Sequence, residues 1–500
     1  MRKHLSVLIV LLLVFTACSS ETASKPAKSE FSSLNDFYAQ ELDWKKCGRF
    51  QCAQLLVPLN YSNLNEGVFQ IALTKVAATK SDSRIGNLVV NPGGPGGSGI
   101  DYAQGGLRTA SNEILNRFDL IGFDPRGVGR SEPVQCLTDS ETDEFLAADE
   151  TPDTAAEITQ RNNWVDRFAI ACKEQNPTTW MHVGSWNVAR DMDVLRAALG
   201  DEKLNWLGKS YGTLLGALYA ELFPDRVGRF VLDGAVDPEF NDEQVITQIT
   251  AFEIALNRFI ADCLTRRDCP LKAPQANAYQ QLVNFIDNLD QQPMPVSDNR
   301  LLTQSHGQTA ILIGLYDDAE FWPFLREALD MAFNGDGEYL MLLSDLISGR
   351  DSDGTYLDNS LAALYAVNCV DYAQALAPDQ LQAEVARLSE ISEFFGPLFG
   401  WGSSACLGWM NQELELVRKV AANPAQPVLI VGTKYDPATP IQWAFALANQ
   451  ISNSTVLQWQ GDGHTAYRRG SKCVDEIIDQ YLVSGKLPTN GTICAAAGRN

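Results

Sequence analysis

From about Val68 onward, short apolar runs alternate with stretches of helical period. IGNLVVN at 85–91, FDLIGFD at 118–124, LNWLG at 204–208, GRFVLDG at 228–234 and PVLIVGT at 427–433 each read as a short buried strand bounded by turn residues. Between two of these runs Val188, Met192, Leu195 and Leu199 recur at helical spacing and stop at Gly200, which predicts a helix and its end. Alternation of this kind implies an α/β fold, a mostly parallel sheet with helices on both faces. The pattern breaks after Asp237-Pro238. From there to about Pro424 the periodicity is helical, as in FEIALNRFIADCL, FWPFLREALDMAF and LAALYAVNCV, followed by the glycine- and aromatic-rich FFGPLFGWGSSACLGW. A helical block interrupting an α/β series predicts an inserted, mainly helical cap at 238–424, between core segments 36–237 and 425–500.

The first residues carry a different pattern. Arg2 and Lys3 precede an apolar run from Leu5 to Phe15, too short to span a bilayer and of the length of a secretory h-region. Its end, Phe15-Thr16-Ala17-Cys18, resembles a bacterial lipoprotein signal, with Phe15 where leucine is usual. The expectation is a signal at 1–17, lipidation at Cys18 and a small, polar tether at 18–35. Such a protein faces the periplasm or the cell exterior, held to a membrane only through that anchor; a plain secretory signal giving a soluble protein is the alternative. Cysteine usage fits export. Eleven cysteines less Cys18 leave an even number, and nearest neighbours suggest Cys47–Cys52, Cys136–Cys172, Cys263–Cys269, Cys369–Cys406 and Cys473–Cys494 as disulfides. No pair shows C-x-x-C metal spacing. With 62 acidic against 39 basic residues, the chain has too little positive charge for a general nucleic-acid binder.

Candidate chemistry centres on Gly208-Lys209-Ser210-Tyr211-Gly212, which is G-x-S-x-G after a predicted strand and before a helical run. A sharp strand-to-helix turn strains the serine and exposes it, and side chains at the flanking glycines would collide. Gly-Lys-Ser also ends a P-loop, but that motif needs glycine where Lys203 stands. A serine nucleophile needs a base, and the base a carboxylate to orient it. Of four histidines, His4 lies in the signal, His182 precedes the serine, and His306 falls in the predicted cap. His464 follows the strand at 456–459 in a glycine-rich loop, where the order Ser, Asp, His places the base. Asp436, just past the strand at 428–431, is the favoured acid; Asp462, two residues from His464, is the competitor. Asp124 and Arg126 read as the buttress of a buried turn. Val90 to Gly99 contains G-x-G-x-x-G, the pattern of a dinucleotide cradle. Pro95 inside it and the lack of an evident helix after it argue against that use, and no metal or organic cofactor is implied.

The combination resembles the α/β-hydrolase fold and, within it, the exported tripeptidyl aminopeptidases related to proline iminopeptidases. The matching pieces are NPGGPGGSG, GFDPRGVGRS, GKSYGT, VLDGAVDP, FWPFLREAL, VNCVDY, GTKYDPATP and GDGHTAY, in the expected order from about residue 45 to 475. The resemblance implies that Gly94 joins Tyr211, the residue after the nucleophile, in offering backbone amides to the oxyanion. Pro92 stands where many relatives of the wider fold have histidine. It also implies peptide substrates with a free N-terminus, whose ammonium needs a buried carboxylate, for which Glu320 and Asp371 are the candidates. The same machinery serves an esterase or lipase, and a non-catalytic binding lipoprotein is a third class, because fold alone does not fix function.

Overall fold

The computed structural model describes residues 31–239, 241–372, 375–409 and 414–496, so the predicted signal, Cys18 and the tether up to residue 30 lie outside the described residues. Its strands are β1 (Lys45–Cys47), β2 (Phe50–Pro58), β3 (Val68–Val76), β4 (Gly86–Asn91), β5 (Phe118–Phe123), β6 (Leu204–Lys209), β7 (Val227–Asp233), β8 (Met294–Pro295), β9 (Leu301–Leu302), β10 (Val428–Tyr435), β11 (Ser454–Asp462) and β12 (Thr492–Cys494). Ten of them form one sheet in the order β1-β2-β3-β5-β4-β6-β7-β10-β11-β12. Pairing is parallel from β5 through β4, β6, β7, β10 and β11 to β12, while β1, β2 and β3 are antiparallel.

The apolar runs form strands because both faces of the sheet are covered. Successive side chains point to opposite faces. Leu88, Val90, Val231, Leu429 and Val431 enter one hydrophobic cluster, while Val89, Phe230, Leu232, Val428 and Ile430 enter the other. The strand at 50–58 has no such apolar run to announce it. Its Ala53, Leu55 and Val57 are buried and alternate with more exposed positions, as in a half-covered antiparallel strand, and glutamine and cysteine interrupt its apolar character.

Between β7 and β10 the chain is mainly helical, apart from the two-residue strands β8 and β9. Helices from Asp242–Cys263 through Glu338–Ser348 build their own core around Phe252, Phe259, Trp322 and Leu329. The helix Ser360–Asp371 behaves differently: its Ala366, Val367 and Val370 belong to the cluster under the sheet. The helical segment is thus one core of its own plus a helix shared with the sheet. Among the described residues no helix is long and apolar enough to cross a membrane. The ten described cysteines pair as Cys47–Cys52, Cys136–Cys172, Cys263–Cys269, Cys369–Cys406 and Cys473–Cys494.

Candidate active site

Ser210 follows β6 directly and begins the turn into the helix Tyr211–Leu222. Its φ of 53° and ψ of -126° are strained for a residue with a side chain. Neighbours hold the turn: the Ser210 amide donates to the Asp233 carbonyl (2.9 Å), and the Thr213 amide donates to the Ser210 carbonyl (2.8 Å). The flanking glycines are sterically required. A Cβ at Gly208 would lie 2.3 Å from the Gly212 carbonyl oxygen, and one at Gly212 would lie 2.8 Å from Asn91 Oδ1.

Asp436 and His464 stand just past β10 and β11. His464 Nδ1 lies 2.9 and 3.0 Å from the two oxygens of Asp436. The carboxylate is fully buried and also accepts from the amides of Ala438, Thr439 and Thr465 and the hydroxyl of Thr439, all at 2.9 Å. These donors fix the carboxylate, and the carboxylate fixes the ring and its tautomer. A Cβ at Gly234, one residue beyond the Asp233 carbonyl that holds Ser210, would come within 3.4 Å of His464 Cε1, so the imidazole reaches toward the end of β7 beside the serine turn. Asp462 is turned away and pairs with Arg258.

The glycine loop after β4 packs against that turn. A Cβ at Gly93 would lie 2.8 Å from Ser210 Cβ and 3.1 Å from the Tyr211 amide nitrogen. The Gly93 amide is occupied, donating to Asn91 Oδ1 at 2.9 Å. Gly94, exposed and at φ 113°, offers the next amide; among the described residues neither it nor the Tyr211 amide has a protein acceptor. One expectation is corrected here. A helix does open after the loop, Gly99–Gln104, capped by the Ser98 side chain. What separates this loop from a phosphate cradle is its direct contact with Ser210. Asp124 supports the helix start through Ser98 Oγ (2.6 Å) and the Ile100 amide (3.2 Å). Arg126 is fully buried, forked onto Asp191 and donating to the carbonyls of Pro58 and Leu59.

The two candidate ammonium partners fare otherwise. Glu320 is corrected: it is exposed, at the start of the helix Phe321–Phe333, because Asp317 Oδ1 turns the chain outward by accepting the Ala319 and Glu320 amides. Asp371 is fully buried, but its oxygens accept from the amide (2.7 Å) and hydroxyl of Ser185, whose hydroxyl in turn meets Tyr211 Oη at 2.6 Å. It therefore stands behind the turn that carries Ser210 and Tyr211, with both oxygens hydrogen-bonded to Ser185, and burial pushes its carboxyl up to about 7. His306 caps its own helix at Thr303, and burial pushes it down to about 4; His182 lies beside Glu66.

Sequence reasoning missed Asp233, Lys209, Tyr316 and Arg469. The Tyr316 carbonyl accepts from the His464 amide (2.8 Å), and Arg469 donates to the Tyr316 and His464 carbonyls (2.8 Å each) while pairing with Asp317. In the sequence Lys209 stands out only as part of a false P-loop ending. Its side chain is buried beside Asp233; burial lowers the ammonium's pKa and Asp233 opposes that shift. The one signal available for this pair is that each stands within one residue of the end of a predicted strand, LNWLG at 204–208 and GRFVLDG at 228–234.

A strained serine at one strand end, and a histidine held by an aspartate at two adjoining strand ends of the same sheet, is the layout of a serine hydrolase of the α/β-hydrolase fold. Comparison narrows the class. A family model described as TAP-like protein matches residues 392–494. The chain is 36% identical over 478 residues to serine protease Hip1 of Mycobacterium tuberculosis, covering 91% of each. It is 34% identical over 475 residues to carboxylesterase B of the same species (91% and 90% covered). It is 28% identical over 473 residues to tripeptidyl aminopeptidase of Streptomyces lividans (91% and 86% covered). The chain belongs to the tripeptidyl aminopeptidase-like family of serine peptidases.

Proposed function

We propose that the protein is an exported serine aminopeptidase that releases tripeptides, dipeptides or single residues from free N-termini through an acyl-enzyme. Ser210 Oγ attacks the scissile carbonyl as His464 Nε2 takes its proton. The tetrahedral intermediate collapses, His464 returns the proton to the leaving amine, and water then hydrolyses the acyl-serine by the same relay. Asp436 orients the ring and stabilises the imidazolium. The Gly94 and Tyr211 amides hold the oxyanion, each donor worth on the order of 3 kcal/mol in the transition state. The observation that supports this reading is a strained Ser210 at the end of β6 together with a His464 whose Nδ1 lies 2.9 Å from Asp436, which leaves Nε2 for the proton transfer. Signal 1–17, lipidated Cys18 and the tether complete the reading; five disulfide pairs support an oxidising compartment.

The relative named carboxylesterase B favours a second reading, an esterase using the same groups. Mature protein and Ser210→Ala are compared on a tripeptidyl anilide, a single-residue anilide and p-nitrophenyl butyrate. The proposal expects anilide hydrolysis lost by about 10⁴-fold or more in Ser210→Ala. Ester turnover with no anilide turnover would select the esterase, and no Ser210-dependent turnover at all would leave a binding protein.

A further inference from the structure

Lys209 and Asp233 are direct partners across the β6–β7 pairing, at the last residue of each strand. Their side chains are 12% and 0% exposed, with Lys209 Nζ 3.8 Å from Asp233 Oδ2. Asp233 contacts both halves of the candidate machinery. Its carbonyl accepts the Ser210 amide (2.9 Å), while its carboxylate oxygens accept the amides of Ala466 and Tyr467 (2.9 Å each). Lys209, next to Ser210 in the chain, donates to the Tyr467 carbonyl at 2.6 Å. Tyr467 is fully buried and anchored through its hydroxyl, which donates to Asp479 and accepts the Ser111 amide. This fixed point stands close along the chain to His464, and Thr465 between them is held at φ 65°.

Stability alone does not call for such a pair. A buried ion pair is often matched or bettered by apolar side chains of similar volume. Both charged groups are bonded to the base's loop, and their own main chain carries the nucleophile's turn: Lys209 directly precedes Ser210, and the Asp233 carbonyl holds the Ser210 amide. We propose that Lys209 and Asp233 are positioning residues that set the separation between Ser210 and His464, tying the serine turn to the loop that carries the base. The inference rests on the assignment of Ser210 and His464 as nucleophile and base. Neither positioning residue touches substrate. The pair acts on the distance across which the proton passes, so it acts alike on every acyl substrate.

The test uses Lys209→Met and Asp233→Asn in the full mature chain. Active sites are counted by end-point labelling with a fluorophosphonate, and kcat and KM are measured on a tripeptidyl anilide and on p-nitrophenyl butyrate. Lys209→Met removes the ammonium at nearly constant volume. Asp233→Asn takes an acceptor from one of the two amides. For each, kcat per labelled site should fall about 10–100-fold on both substrates with KM within about twofold, the scale expected of a misplacement of about 1 Å. Lys209→Arg, which keeps a charged donor, should recover most of the loss. A purely structural pair would lower the yield of labelled protein and leave kcat per site unchanged; that result in either folded variant overturns the proposal. Should Lys209→Met not fold, Asp233→Asn and Lys209→Arg decide by the same readout. Undiminished turnover by Ser210→Ala would instead overturn the nucleophile assignment, so the two failures are distinct.

Discussion

Ser210, Asp436 and His464 each stand one or two residues beyond the end of a parallel strand, whereas the cap reaches that edge through clasping side chains. At the sheet edge the positioning groups are largely main chain: the Asp233 carbonyl on Ser210, and the amides of Ala438, Thr439 and Thr465 on Asp436. On the cap side, Arg258 forks onto Asp462 and covers the Tyr435 ring at 3.6 Å, and Arg469 pins the Tyr316–Asp317 segment beside His464. Geometry set by strand ends is shared by all substrates of one chemistry. Geometry set by a few charged side chains can change without disturbing the strands. Variants on each side should show whether chemistry and substrate choice separate along this division.

The largest effect belongs to the edge. Asp436→Asn should lower kcat about 10⁴-fold on peptide anilides and on small esters alike, because the wrong tautomer of His464 then faces Ser210. Steady-state rates on both substrate types check this. An ester rate within about tenfold of wild type would break the claim that the edge acts independently of substrate.

The same division explains what the sequence disclosed. The strand ends were legible because G-x-S-x-G, Asp436 and His464 sit at turns whose residue types have steric causes, such as Gly208 and Gly212, where a Cβ would meet a backbone or side-chain oxygen. The antiparallel β2 was obscure because half of its residues face outward. The clasps were illegible. Arg258 and Asp462 lie 204 residues apart and Tyr316 and Arg469 lie 153 apart, pairings that no local pattern encodes. Glu320 is exposed for all its apolar neighbours in sequence: it stands at the helix start, in a turn whose Ala319 and Glu320 amides are held by Asp317.

Clasp variants come next in size, and two of them sharpen the comparison. Arg469 touches both the cap segment and the His464 carbonyl, so Arg469→Met should cost about 10–30-fold in kcat/KM on both substrates, the scale of a lost buried charged hydrogen bond. Arg258 touches Asp462 and Tyr435 but not His464, and its side chain is 36% exposed. Arg258→Met should raise KM for the tripeptidyl anilide by about threefold to tenfold and leave the ester unchanged. Equal losses on both substrates for both variants would show that cap and edge are one unit.

The smallest effect is on stability, at the seam where the helix Ser360–Asp371 joins the catalytic half. Burial pushes the Asp371 carboxyl from 3.8 to about 7, with the two Ser185 bonds only partly opposing it. The folded state thus binds this proton more tightly than the unfolded chain. The contribution of that proton to stability is complete below about pH 4 and is lost as pH rises to about 7, after which it stays constant. A carboxamide cannot titrate, so Asp371→Asn should gain on wild type across that interval and level off above it. In thermal unfolding from about pH 4.5 to 8.5, the variant's Tm relative to wild type should climb by about 1–3 °C up to about pH 7 and then run parallel. A difference that is flat or falls with rising pH would mean that Ser185 keeps the carboxylate charged in the fold. In that case the seam is held by charge-assisted hydrogen bonds from the Ser185 amide and hydroxyl to an ionised Asp371.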